Sequence, residues 1–299
     1  MLGRQDIRFA TASDGVRLAY ATIGRGPPLV RAAHWLTHLE YDVESPIWRP
    51  FLEAMARRHT LVRYDQRGCG LSDRDPPEAS FEAYVRDLES VVDALRLERF
   101  PLLGISQGAA VAIAYAIRHP ERVTHLVIYG GFARGRLKRN EGQKAVDECL
   151  LYFKLAEVGW GRDEPTFRQV FTSQFMPGGT PEQFRAFDDL QRMSATPKDA
   201  VRLMQAVAQI DVSDIAPQVS CPTLVLHGRG DRRIPFEEGR LVSALIPGSR
   251  FVPLDTCNHV LFEREAAFNT LLQEMDAFLK TGEAPAAFAE LTARERELL

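Results

Sequence analysis

Short apolar runs alternate with amphipathic stretches along the first 130 residues and again after residue 213. The apolar runs at 28–33, 60–64, 100–103 and 123–129 predict buried strands, and residues 7–21 predict a hairpin. The 3.6-residue periodicity at 48–58, 81–97 and 107–118 predicts helices, the second of them capped by Ser80. Strands that alternate with helices predict an α/β fold, a doubly wound and mostly parallel sheet covered on both faces.

The alternation stops between residues 131 and 213. Helical spacing continues there at 143–157, 164–175, 181–193 and 198–209, without a convincing strand. Aromatic side chains recur at intervals that suit one face of a helix. We expect a helical segment in which most of these aromatics form a small core.

One short motif contains a candidate catalytic residue. Gly104-Ile105-Ser106-Gln107-Gly108 has the G-x-S-x-G pattern and stands between a predicted strand and a predicted helix. A sharp strand-to-helix turn leaves little room for side chains, so glycines flank it and the serine hydroxyl stays accessible at its apex. The pattern indicates that Ser106 is a nucleophile.

Two further residues complete a catalytic constellation. Asp231 follows the apolar β-branched run 222–226, and His259 follows the short run 250–254. A serine nucleophile needs a histidine as a general base and an acid that orients the imidazole. In a parallel sheet all three residues come after strands at the same edge.

The order Ser106, Asp231, His259, together with the loop 62–73 and the segment His119-Pro120-Glu121-Arg122-Val123, resembles the α/β-hydrolase superfamily over residues 6–280. The resemblance implies an eight-stranded sheet with a first core part at 1–130, a helical cap at 131–213 and a second core part at 214–280. It also implies acyl transfer, with Ser106, His259 and Asp231 as the catalytic triad and without a metal or a cofactor.

The resemblance further implies an oxyanion hole made by two backbone N–H groups. Gln107, directly after the nucleophile, is expected to supply one, and Leu36 the other. Where the family usually has glycine after histidine, this chain has Trp35, which restricts the backbone conformations open to the loop. Trp35 and His34 are candidate substrate contacts, although His34, like His38, is equally suited to a structural role in the loop.

The composition and charge of the chain exclude several functional classes of protein. The chain has 299 residues, 45% hydrophobic, with a formal net charge of -3, which argues against a broad nucleic-acid-binding surface. Four scattered cysteines lack metal-ligand spacing and indicate reduced thiols. Without an apolar run long enough to span a membrane or a signal-peptide core, a cytoplasmic protein is expected.

The C-terminal end suggests a regulatory context. Residues 291–299, LTARERELL, open with a capping box and resemble the start of a LuxR-type helix-turn-helix domain, with 281–285 as a linker. The resemblance implies a truncated transcriptional regulator that binds DNA through a missing C-terminal part, not through this fragment, and that forms a homodimer.

Two hypotheses follow. In the first, the chain is a serine hydrolase that acts on a small ester, thioester, lactone or amide. In the second, the same pocket is a sensor with slow or no turnover that controls a DNA-binding domain, since fold alone does not fix function. Both predict a small, largely apolar ligand with a carbonyl group, bound at Ser106.

Overall fold

A computed structural model describes residues 3–280 of the chain. The proposed linker and helix-turn-helix start at 281–299 therefore lie outside the described residues. Eight strands form one sheet: β1 (Asp6–Thr11), β2 (Arg17–Ile23), β3 (Pro28–Ala32), β4 (Thr60–Tyr64), β5 (Phe100–Ile105), β6 (Val123–Tyr129), β7 (Thr223–Gly228) and β8 (Arg250–Leu254).

The strand order across the sheet is β1-β2-β4-β3-β5-β6-β7-β8. The pairs β1–β2 and β2–β4 are antiparallel, and every pair from β4 to β8 is parallel. The predicted fold class, a mostly parallel eight-stranded α/β sheet, is confirmed. The strand β7, which is flanked by β6 and β8, is buried along its whole length, as expected when helices cover both faces of the sheet.

Six helices belong to the sheet layers: α1 (Leu39–Glu44), α2 (Arg49–Ala56), α3 (Phe81–Ala94), α4 (Gly108–Arg118), α9 (Phe236–Leu245) and α10 (Ala266–Lys280). The Ser80 side chain accepts a hydrogen bond from the backbone N–H of Ala83, so the predicted cap of α3 is present. α4 packs on β3, β5 and β6 and is buried along almost its whole length. This central helix fixes the position of the turn that precedes it.

Four helices fill the stretch between β6 and β7: α5 (Gln143–Gly159), α6 (Thr166–Phe175), α7 (Pro181–Ser194) and α8 (Pro197–Ala208). Thr180 and Thr196 cap the last two, each followed by proline at the first helical position. An isolated antiparallel bridge joins Arg134 to Asp211, so the insertion leaves and rejoins the core at neighbouring points.

Buried side chains of the sheet, its covering helices and the inserted helices form one continuous apolar cluster. Trp35 connects the core to the inserted helical segment. Its ring lies edge-on to the ring of Trp160, with 5.9 Å between centroids, and stacks on the ring of Phe175, with 6.2 Å between centroids. Within residues 3–280, no helix is both long and apolar enough to cross a membrane, and no group of three or more His, Cys, Asp or Glu side chains is placed to hold a metal ion.

Candidate active site

Ser106 lies at the turn between β5 and α4 with a φ of 53°, a left-handed conformation that is uncommon for a residue with a side chain. The flanking glycines make the turn possible. A Cβ on Gly104 would come within 2.6 Å of the Ala109 Cα, and one on Gly108 within 2.8 Å of the Ala33 carbonyl oxygen. The local geometry is that of a nucleophile elbow.

Asp231 lies in the turn after β7 and is held by two backbone groups. Its Oδ1 accepts hydrogen bonds from the N–H of Arg233 at 2.8 Å and of Ile234 at 3.0 Å. Its Oδ2 lies 2.7 Å from His259 Nδ1. Burial opposes ionisation of Asp231, but His259 and the hydrogen bonds outweigh burial and keep the pKa of the carboxyl below its ordinary value. An ionised Asp231 therefore faces the imidazole.

His259 follows β8. The four inserted helices α5–α8, called the cap from here on, hold the loop that carries it. The backbone N–H groups of His259 and Val260 both donate to the carbonyl of Phe175, at 2.8 and 3.1 Å. The Phe175 ring also lies edge-on to the imidazole, with 5.4 Å between centroids. The last residue of α6 thus positions the candidate base.

Ser106 and His259 line one small cavity, but the hydrogen bond between them is not closed. His259 Nε2 is buried and has no hydrogen-bond partner within residues 3–280. In hydrolases without a bound substrate, catalytic hydrogen bonds are often long and tighten in the substrate complex. The free Nε2 is the atom that would accept the serine proton.

The two candidate oxyanion donors are free. Among the described residues, the backbone N–H groups of Leu36 and Gln107 donate to no acceptor. In the loop after β3, Leu36 has a left-handed φ of 48°, whereas the φ of Trp35 is negative. The tryptophan that replaces the family's glycine therefore does not require the unusual conformation.

His34 is enclosed by the protein. Its ring stacks on Trp48 with 4.6 Å between centroids, and its Nδ1 lies 2.9 Å from the carbonyl oxygen of Trp35, so Nδ1 is the donor. Burial and the nearby Arg31 lower its pKa well below the ordinary value and keep the ring neutral. His34 borders the same small cavity as Ser106, while His38 caps α1 by accepting from the Tyr41 N–H at 3.3 Å.

A larger cavity of about 170 Å³, which Ser106 also borders, opens between core and cap. Trp35 and Gln107 border it from the core, and the cap contributes an apolar wall that includes Tyr152, Phe153, Phe175 and Met204. Four arginines, Arg136, Arg139, Arg232 and Arg233, and one acidic residue, Glu141, also line the cavity. Ser106 therefore faces a cleft that combines apolar walls with an excess of positive charge.

Three residues of this site carry no signal in the sequence. Tyr129 ends β6, and its hydroxyl donates to the carbonyl of His259. Phe175 resembles any other cap aromatic until the fold places it against His259. Arg233 is one of 37 basic residues, and only the fold brings its side chain into the cavity.

The sequence profile of the alpha/beta hydrolase fold family matches residues 42–266. The chain is 28% identical over 251 residues to a 2-hydroxy-6-oxo-2,4-heptadienoate hydrolase of Pseudomonas putida, covering 76% of this chain and 82% of that protein. It is 28% identical over 228 residues to a putative carbamate hydrolase of Klebsiella pneumoniae, covering 75% and 84%.

Among solved structures, an esterase from Exiguobacterium antarcticum has a TM-score of 0.76 at 23% identity, covering 91% of this chain and 99% of the esterase chain. At that identity the likeness is one of fold. The profile match extends over more than half of the sequence and includes the elbow, the acid and the histidine. The chain belongs to the α/β-hydrolase fold family.

Proposed function

We propose that the hydrolase activity of this chain proceeds through Ser106 and an acyl-enzyme on a small ester, thioester, lactone or amide. One observation carries the proposal. The strained elbow places Ser106 in a shared cavity with His259, whose other ring nitrogen is 2.7 Å from the buried carboxylate of Asp231. A serine, a base and an orienting acid in this relation form the constellation that activates a hydroxyl nucleophile.

The mechanism follows from these positions. Ser106 Oγ attacks the substrate carbonyl while His259 Nε2 takes its proton, and Asp231 stabilises the imidazolium that forms. His259 then returns the proton to the leaving oxygen, sulfur or nitrogen as its bond to the acyl carbon breaks. Water, deprotonated by the same histidine, releases the acid and restores Ser106.

The charge that develops on the carbonyl oxygen needs hydrogen-bond donors that are already in place. The unpaired backbone N–H groups of Gln107 and Leu36 are the donors that we assign to this role. Loss of one such donor costs about 3–4 kcal/mol of transition-state stabilisation in a serine hydrolase. The substrate chain would then lie along the cap wall that Phe153 and Phe175 form.

The test is hydrolysis of 4-nitrophenyl acetate, butyrate and hexanoate by the wild-type chain and by Ser106→Ala. We expect turnover in the wild type and a loss of at least 1,000-fold in the variant. Ser90→Ala is the matched control, since that hydroxyl donates to the Arg86 carbonyl on α3, away from the site. Equal rates in wild type and Ser106→Ala, from folded protein, would refute the serine mechanism.

A second candidate function rests on the string at 291–299. We propose as the alternative that the hydrolase domain is the sensor part of a LuxR-type regulator, in which ligand binding at Ser106 matters more than turnover. Under this alternative, Ser106→Ala binds the ligand as tightly as the wild type, and catalytic turnover is slow. Pre-steady-state kinetics distinguishes the two, because a sensor would give a burst of one nitrophenolate per chain followed by little further release.

A further inference from the structure

Arg233 places a guanidinium group in the cavity that Ser106 borders. Its charged end lies beside two aromatic rings, 5.1 Å from the Phe175 centroid and 5.9 Å from the Trp35 centroid. Its side chain makes one hydrogen bond, from Nη1 to Gln174 Oε1 at 3.3 Å, and no carboxylate of residues 3–280 forms an ion pair with it. The arginine is thus packed by aromatic side chains and left without an anion.

The charged groups that most affect Arg233 are two arginines, although Glu141 also lines the cavity. Burial is the main cause that lowers the pKa of Arg233 to about 10, and Arg139 and Arg136 lower the pKa further. Both neighbours have acidic partners of their own: Arg136 pairs with Glu148 at 2.5 Å, and Arg139 lies 4.0 Å from Glu238. Arg233 remains charged at neutral pH and, within residues 3–280, has no carboxylate partner.

Arg233 is half-buried, and the fully buried arginines differ in how they are satisfied: Arg168 donates to backbone carbonyls and Arg31 lies 3.7 Å from Asp42, whereas two others have close carboxylate partners. Arg67 makes ion pairs with Asp14 and Asp87, both at 2.6 Å, and Arg63 pairs with Asp42 at 3.0 Å. A charge removed from water without a partner costs several kcal/mol, so folded proteins pair such groups or keep them for a ligand. Arg233 differs in that its free donors border the cavity at the nucleophile.

We infer that Arg233 binds a carboxylate of the substrate, so that the preferred substrate is an acid-bearing ester, thioester, lactone or amide and not a purely apolar one. The planar guanidinium presents paired N–H donors that match the two oxygens of a carboxylate. The rings of Phe175 and Trp35 hold the guanidinium in place, which lowers the entropy lost on binding. This inference rests on the proposed serine hydrolase function.

A carboxylate site at Arg233 would also be adjacent to the segments that hold Asp231 and His259. The backbone N–H of Arg233 fixes Asp231 Oδ1, while Phe175, on which its side chain stacks, fixes the His259 loop. A substrate carboxylate at Arg233 would therefore dock against the segment that positions the acid and the base. A substitution of the side chain leaves the backbone hydrogen bond to Asp231 intact.

The experiment compares charged and neutral esters of matched size. One pair places the carboxylate on the acyl side, the 4-nitrophenyl monoester of glutaric acid against 4-nitrophenyl pentanoate. The other pair places it on the leaving group, 3-carboxy-4-nitrophenyl butyrate against 4-nitrophenyl butyrate. The quantity measured is the ratio of kcat/KM within each pair, which cancels any damage to the triad itself.

We expect at least a tenfold preference for the charged member of one pair, mostly in KM. Arg233→Gln should reduce that preference to threefold or less, and Arg233→Lys should keep part of it. Arg229→Gln removes the same charge from an exposed position on the same loop that does not line the cavity, and it should leave the preference within twofold of wild type. Neutral members preferred in both pairs, or an equal effect of Arg229→Gln, would overturn the inference.

A binding measurement separates this inference from the proposed mechanism. Calorimetric titration of Ser106→Ala with monomethyl glutarate and with dimethyl glutarate requires no turnover. At least tenfold tighter binding of the monoanion, lost in Ser106→Ala/Arg233→Gln, supports the carboxylate site even if no ester is hydrolysed. Equal binding of the two compounds refutes the site even if ester hydrolysis through Ser106 is found.

Discussion

The phenol hydroxyl of Tyr129 donates a 2.8 Å hydrogen bond to the backbone carbonyl of His259. Burial and the nearby Asp231 raise the pKa of this tyrosine well above its ordinary value, so the hydroxyl keeps the proton that it donates. The backbone carbonyl of Tyr129 accepts a 3.0 Å hydrogen bond from the N–H of Ser106. One residue at the end of β6 therefore holds both Ser106 and His259, the candidate nucleophile and base.

Tyr129→Phe should loosen the histidine loop without removing any reacting group. A buried carbonyl left without its donor costs about 1–3 kcal/mol, and we expect the free energy of unfolding to fall by that amount. The rate constant kcat should fall about tenfold with little change in KM, because the substitution disturbs the position of His259 and not the substrate cleft. Urea unfolding and steady-state kinetics measure the two effects.

Tyr115→Phe is the matched control for that prediction. Its hydroxyl is buried and has no hydrogen-bond partner among the described residues, and its ring packs near Phe100. Removal of this oxygen should not lower the stability of the protein or kcat. If the two variants behave alike, Tyr129 is not a positioning residue.

Gly130 leaves the space that the imidazole occupies. A Cβ on this residue, whose φ is +58°, would lie 3.0 Å from His259 Cε1 and 3.2 Å from Nδ1. Gly130→Ala should therefore destabilise the protein by about 1–2 kcal/mol through the left-handed backbone and also displace the ring. We expect kcat/KM to fall at least tenfold.

Gly15→Ala separates backbone strain from displacement of the ring. Gly15 has a φ of +85° and open space where its Cβ would lie, in the hairpin between β1 and β2. This variant should lose similar stability in thermal unfolding but retain kcat/KM. Full activity in Gly130→Ala would show that the ring tolerates the contact.

Much of the fold could be predicted because its signals are local. The strands at 60–64 and 123–129 have the bounds that their apolar runs predicted. The strand predicted at 100–103 continues to Ile105, since Gly104 still pairs with Ile128 in the ladder although glycine is typical of turns. The six-residue helix α1 is too short to show a period.

The candidate site shows where sequence reasoning ends. The order of Ser106, Asp231 and His259 is a pattern along the chain, and the fold brings the acid and the histidine into contact. The positive charge of the cleft does not correspond to any pattern along the chain. Arg233 and Phe175 stand 58 positions apart in the numbering, and their contact exists only after the cap has folded over the core. The sequence therefore predicted an apolar ligand and gave no sign of the positive charge in the cleft.

Asp231→Asn isolates the role of the acid. Asparagine retains an oxygen for the N–H groups of Arg233 and Ile234, so the loop should keep its structure. Its amide group would face His259 Nδ1 as a donor and favour the wrong tautomer. We expect kcat to fall on the order of 10⁴-fold, as for the corresponding change in serine proteases. A melting temperature near that of the wild type, with kcat within tenfold, would contradict the assignment.

His34 should make stability depend on pH. Its pKa in the folded protein lies well below the model-peptide value of 6.5, because burial and Arg31 disfavour the charged ring. Just below pH 6.5 the unfolded chain therefore binds a proton that the folded chain does not. The free energy of unfolding rises with pH through this window, and this part of the stability is lost as the pH falls below 6.5.

His34→Gln tests the sign and the size of this effect. One group contributes at most about 1.4 kcal/mol per pH unit, so the slope of unfolding free energy between pH 5 and 6 should fall by up to that amount in the variant. Asp42 and Asp65, whose pKa values burial raises to about 6, act in the opposite direction, but both remain in the variant and cancel in the comparison. Urea unfolding of both proteins at half-unit steps from pH 5 to 7.5 gives the two slopes. Parallel curves would mean that His34 takes up a proton equally in both states, and the ring would then be charged in the folded protein despite its burial against Trp48.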